Sequence, residues 1–196
     1  MGVIRTAMSV SLDGYVAGPS SRPDSPLGDG GDVLFRWLDS GDTRSAYFPF
    51  RMWPASRQVF DGICATNGAI VTGRHTHDVV GGWGGSGPQA DIPLFVMTHR
   101  VDDAPWPEYT YTDAPVEDVL ALARTKAEGR DISLMGTAPV QLALAAGLLD
   151  EIHLHGGATL LGGGARLLEG VAVPQLELLR VVEAPDVTHL SYRVCR

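Results

Sequence analysis

Gly73, Arg74 and Thr76 follow directly on the apolar run Ala69, Ile70, Val71. A short strand that ends on glycine and turns at once into a helix leaves unpaired backbone N–H groups at the positive end of the helix dipole. Those groups favour an anion, and a guanidinium beside them offers a planar fork that suits phosphate oxygens. Similar junctions recur along the chain. Thr98, His99 and Arg100 end the apolar run that starts at Pro93, and Gly136, Thr137 and Ala138 follow the strand-like residues 131–135. Asp13 lies just past the first strand-like segment, in an Asp-Gly pair that is equally a common turn. Taken alone, each junction also reads as an ordinary strand–turn–helix. His75, His77 and His99 lack a metal-ligand spacing, so we expect no metal centre.

The elements that would position these residues can be read from periodicity. Residues 3–12 are rich in Val, Ile, Thr, Ser and Met and predict a first strand. Residues 18–32, packed with Gly, Pro, Ser and Asp, predict a long loop, either a binding loop or a tolerated insertion. Residues 33–39 predict a helical turn. Ala55, Val59, Gly62 and Ile63 share one face of a helix over 54–66, stopped by Asn67-Gly68. The glycine-heavy residues 81–87 predict a mobile loop. Strands at 93–98, 109–112 and 131–135 come next. Between the last two lies a helix carrying Val116, Val119, Leu120 and Ala123, with Gly129 at its C-terminal cap. A further helix is expected with Thr137 as N-cap and Gly147 at its end. Residues 152–155 predict a strand interrupted by Gly156-Gly157, and 175–183 with 188–194 predict a closing hairpin.

Strands alternating with helices predict an α/β fold: three layers, α/β/α, with a mainly parallel central sheet and a C-terminal antiparallel hairpin, as one domain over 1–196. Ligands of such sheets bind outside the carboxyl ends of the strands. Asp13, Gly73-Arg74, Thr98 to Arg100 and Gly136-Thr137 all fall there, which predicts one shared cleft.

The composition narrows the class. The chain of 196 residues is 44% hydrophobic and 19% charged, as globular domains are. Its net charge of −8 argues against nucleic acid or an anionic membrane as a partner. No apolar stretch approaches a transmembrane length. No charged-then-apolar leader is seen, so we expect a cytoplasmic protein. Cys64 and Cys195 are read as free thiols.

In this order the segments resemble the dihydrofolate reductase superfamily, and within it the reductase domain of the bifunctional riboflavin-biosynthesis deaminase-reductase. The resemblance covers roughly residues 3–192 and rests on four stretches. These are 8–17 (MSVSLDGYVA), 71–76 (VTGRHT, close to a Gly-Arg-x-Thr cofactor motif), 134–138 (LMGTA, in place of a Gly-Gly turn), and 149–154 (LDEIHL) with 161–164 (LGGG). It implies NADPH as hydride donor. Arg74 and Thr76, after Gly73, would hold its 2′-phosphate side. Thr98, His99 and Arg100 would flank its adenosine end. Gly136, Thr137 and Ala138 would meet the nicotinamide or pyrophosphate, and Gly163 in the last stretch would complete the cofactor set. Asp13 is the carboxylate placed to serve catalysis and bind a pteridine-like or pyrimidine ring; Asp39, Asp42 and Asp61 do not align with a family acid. The chain departs from the pattern at Thr137, where a second glycine is usual, and at Gly156-Gly157-Ala158, where a proline turn is common. The expectation is a stand-alone, homodimeric NADPH-dependent reductase of a small pteridine-like or aminopyrimidine heterocycle. The alternative is a non-catalytic nucleotide- or flavin-binding protein of the same fold.

Overall fold

A computed structural model describes residues 2–171 and 175–195. Its strands are β1 (Ile4–Val10), β2 (Tyr15–Ala17), β3 (Thr43–Arg44), β4 (Arg51–Met52), β5 (Asn67–Gly73), β6 (Leu94–Met97), β7 (Thr110–Thr112), β8 (Asp131–Met135), β9 (Glu151–Gly157), β10 (Ala165–Arg166), β11 (Leu176–Ala184) and β12 (Val187–Val194). The helices are α1 (Pro54–Thr66), α2 (Arg74–Val79), α3 (Val116–Ala127) and α4 (Thr137–Ala145). Eight strands form the central sheet in the order β11-β12-β9-β1-β8-β5-β6-β7. The run from β9 to β7 is parallel throughout, and β12 and β11 close the other side as an antiparallel hairpin.

The period-2 pattern of the strands explains the layering. Ile4, Ala69, Val71, Phe95, Ile132, Leu134 and Ile152 face one side and pack with Val119, Leu120 and Ala123 of α3 and Val140 and Ala143 of α4. On the other side, Trp37, Leu38, Met52 and Val187 make a second cluster near α1, and Ile70, Leu94, Val96 and Tyr109 a third with Trp83 and Trp106. A charge is buried beneath α1. The Arg5 guanidinium bonds Asp131 at 2.5 Å, the Ile63 carbonyl at 2.8 Å, Thr66 at 2.8 Å and Asn67 at 2.9 Å. Such pairing offsets the cost of desolvation, and it ties the end of α1 to β1 and β8.

Three local expectations change. Gly156 and Gly157 do not interrupt β9. They pair with Val10 on one side and with Thr188 and Val187 on the other, so the neighbours' ladders carry the strand through. Residues 81–85 form a 3-10 turn with left-handed backbone rather than an open loop. Gly82 packs against the Trp106 indole, and its carbonyl accepts the Tyr109 hydroxyl at 2.6 Å. The N-cap of α4 is Gly136, not Thr137, and no side chain caps it.

The central seam of the sheet is short. β1 pairs with β8 only over Ile4, Thr6 and the residue between, whereas it pairs with β9 as far as Val10. β8 meanwhile runs on beside β5 as far as Met135. The two middle strands therefore part company at their carboxyl ends, with residues 7–10 on one lip and Met135-Gly136 on the other. A divergence of this kind is where open α/β sheets bind their ligands.

Candidate active site

Near that divergence, the ends of β5, β6 and β7 and the first turns of α2 and α4 frame a cleft of about 790 Å3. This lies within the usual size of small-molecule sites. Gly73 lines it from the end of β5, Arg74 and Thr76 from α2, Thr98, His99 and Arg100 from beyond β6, and Thr137 and Ala138 from the first turn of α4. The sequence junctions thus converge. Convergence is possible because parallel strands place all their carboxyl ends on one edge.

Close backbone packing sets the geometry. Gly136 has φ 86° and ψ 168°, a conformation open essentially to glycine alone. A Cβ there would stand 2.4 Å from Thr76 Oγ1. Gly73 also faces α4, where a Cβ on it would make ordinary contact with Pro139 at 3.5 Å. The first turns of α2 and α4 therefore sit side by side. Thr72 Oγ1 donates to the Met135 carbonyl at 3.2 Å and ties the strand ends beneath them. Across the cleft, Thr98 Oγ1 accepts the Arg100 N–H at 3.0 Å and so fixes that turn.

The electrostatics centre on four charges. Arg74 Nε donates to Asp78 Oδ1 at 2.7 Å, and its terminal nitrogens reach Asp103 Oδ2 at 2.5 Å and the Asp103 carbonyl at 2.8 Å. Arg100 donates to Asp78 Oδ2 at 2.8 Å. Partial burial works against the Arg74 charge, but bonds to Asp78 and Asp103 outweigh it and raise its pKa. Burial likewise opposes the Asp78 charge, and bonds from His77, Arg74 and Arg100 hold its pKa below the usual carboxylate value. Neither Asp78 nor Asp103 is among the residues singled out from sequence. The i, i+4 spacing from Arg74 could have flagged Asp78; Asp103 arrives from a loop with no local signal. Asp113, Ala114 and Pro115 also line the cleft. They lie just past β7 and were not singled out from sequence.

Three predicted residues lie apart from the cleft lining: Gly136, packed against Thr76, and Asp13 and Gly163. The Asp13 carboxylate accepts the Leu161 N–H at 3.1 Å and the Gly162 N–H at 2.7 Å. Gly163 follows in the same loop, where a Cβ would lie 3.5 Å from Pro19. Arg166 completes this clamp, donating to the Asp13 carbonyl at 3.1 Å and stacking over the Tyr15 ring at 4.4 Å. A hydrogen bond from Ser11, with those from Gly162 and Leu161, holds the Asp13 carboxyl at about 2. It is therefore ionised at neutral pH. Its observed work is to pin the 160s loop to the turn after β1. Asp61 is likewise committed, to Ser45 and the Ala46 N–H, and Asp39 accepts the Arg51 N–H. Of the histidines, His77 is buried against Asp78 and Tyr111, and His75 reaches Ser21 of the long loop at 3.1 Å.

Solved structures share this architecture. A Shewanella sp. PV-4 protein named for riboflavin biosynthesis aligns over 100% of both chains at 21% identity, with a TM-score of 0.74. The Thermotoga maritima diaminohydroxyphosphoribosylaminopyrimidine deaminase/5-amino-6-(5-phosphoribosylamino)uracil reductase aligns over 99% of this chain at 12% identity and a TM-score of 0.66. The chain spans only 57% of that longer one. Enterococcus faecalis dihydrofolate reductase, solved with NADP(H), aligns over 100% of this chain and 98% of its own at 13% identity and a TM-score of 0.63. The fold is thus dihydrofolate reductase-like. No curated protein matches by sequence. The family model described as the RibD C-terminal domain matches residues 3–190, and the chain belongs to that family.

Proposed function

We propose that this chain is an NADPH-dependent reductase of a small pteridine-like or aminopyrimidine heterocycle. The observation that carries the reading is the convergence of Arg74, Arg100, Thr76, Thr98 and the α4 start on one cleft beside the β1–β8 divergence. Family membership and the NADP(H)-bound E. faecalis neighbour support it. The donor set fits a phosphorylated dinucleotide: two guanidiniums, threonine hydroxyls, His75 and His99, and backbone N–H groups at a helix start.

When bound, the cofactor supplies the hydride. Arg74 and Arg100 would hold its 2′-phosphate side. Thr98 and His99 would flank the adenosine, and Thr137 and Ala138 would meet the pyrophosphate. Gly136, just before α4, lets the first turns of α2 and α4 approach closely. The chain's main contribution is then to position donor and acceptor. Asp13, held ionised, pins the loop over residues 161–163.

The commitment of Asp13, Asp39 and Asp61 to structural bonds also suits a second reading, a nucleotide- or flavin-binding protein without turnover. Titration with NADPH, followed by its fluorescence, and then NADPH oxidation across a panel of pterins and aminopyrimidines separates the two. Binding with oxidation is the expected result. Binding without oxidation across the panel selects the second reading, and no binding at millimolar NADPH overturns both cofactor assignment and reductase.

A further inference from the structure

Arg74 has the strongest claim on a phosphate, yet its guanidinium is fully engaged, by Asp78 on one edge and Asp103 on the other. The two carboxylates are held very differently. Asp78 sits on α2 and also bonds His77 at 2.9 Å and Arg100 at 2.8 Å, so it is fixed in place. Asp103 lies on the exposed stretch 102–105, its side chain 58% exposed. Among the described residues, its carboxylate has, apart from Arg74, only Arg100, at 3.6 Å. The four charges, two of each sign, sum to zero; with the Asp103 carboxylate withdrawn, the cluster carries one net positive charge.

We propose that Asp103 is an internal stand-in for a phosphate monoester. Its carboxylate occupies the seat on Arg74 that the 2′-phosphate of the cofactor takes, and it must swing out for that group to bind. The inference rests on the NADPH reading above and adds a residue that sets the preference for phosphorylated over unphosphorylated dinucleotide. While Asp103 is charged, it competes with the phosphate for Arg74 and repels it. A ligand without that phosphate does not need the seat and is indifferent to it.

The test is calorimetric titration of the wild-type chain, Asp103→Asn and Asp103→Glu with four ligands: 2′,5′-ADP, 5′-AMP, NADPH and NADH. Asp103→Asn keeps the size of the side chain and removes the charge. It should bind 2′,5′-ADP and NADPH roughly five- to tenfold tighter, while 5′-AMP and NADH change less than about twofold. Asp103→Glu keeps the charge and should show no gain. Unchanged or weaker 2′,5′-ADP binding by Asp103→Asn, or an equal gain for 5′-AMP, overturns the role of Asp103 but leaves the cofactor assignment standing. Failure of every variant to bind 2′,5′-ADP and NADPH overturns both.

Discussion

Arg74→Ala should weaken NADPH binding by about 1.5–3 kcal/mol, the range for a hydrogen bond to a charged group, and leave NADH nearly unchanged. Equal losses for the two cofactors would remove Arg74 from the 2′-phosphate. Gly136 carries a different burden. Alanine there meets both a glycine-only backbone conformation and the Thr76 hydroxyl at 2.4 Å. Gly136→Ala should lower stability in urea by about 1–3 kcal/mol and impair NADPH binding as α2 and α4 are pushed apart. Gly147→Ala is the control. It shares a positive φ, 67°, but has open space around it, so it should cost only about 1 kcal/mol and spare binding. At this scale the sequence was partly legible. Gly73, Arg74, Thr76 and Gly136 announced themselves because a strand end, a glycine and a helix start are all local patterns. The Asp13 clamp was not, because its partners are the N–H groups of residues 161 and 162, and nothing near position 13 in the chain reports them.

Among the elements, the ladder β1–β9–β12 brings three polar residues into register beneath Trp37: Ser9, His155 and His189. His155 and His189 meet Nδ1 to Nδ1 at 2.9 Å, and His189 Nε2 meets the Ser56 hydroxyl at 2.9 Å. Burial, with His189 and His153 alongside, pushes His155 down to about 3, and burial with Arg180 nearby pushes His189 down to about 4. The folded chain therefore keeps both rings neutral where the unfolded chain, titrating near the ordinary 6.5, takes up protons. Stability is whole above that value and declines as pH falls from about 6.5 toward 4. Urea midpoints at pH 7, 6 and 5 should fall in that order; a flat profile would contradict it. Element boundaries were legible wherever period and breakers agreed, as in α1, α3 and β8. They failed at Gly156-Gly157 and at residues 81–85, where pairing with β1 and β12, or packing on Trp106 and Tyr109, overrode what glycine prefers on its own.

Among the described residues, the β11 flank of the sheet exposes apolar side chains. β11 is an edge strand with Leu178 54% and Val181 47% exposed, and Leu176 and Leu179 38% each. A long apolar edge of this sort invites a second strand. The strand also carries Arg180 and Glu183. Antiparallel pairing with a second copy can shield these leucines and valines and satisfy the free backbone edge of β11. The expected solution species is a homodimer by light scattering, and Val181→Lys should shift it to monomer without loss of helical signal. A wild-type chain that stays monomeric at micromolar concentration would rule this out.

The short seam between β1 and β8 reaches further than the position of the cleft. The sheet is stitched through its centre by three residue pairs, with one blade of strands on either side and a notch where the stitching stops. A molecule lodged in that notch touches both blades and acts as a fourth stitch, so occupancy should slow amide exchange in β1 and β8 well away from any atom it contacts.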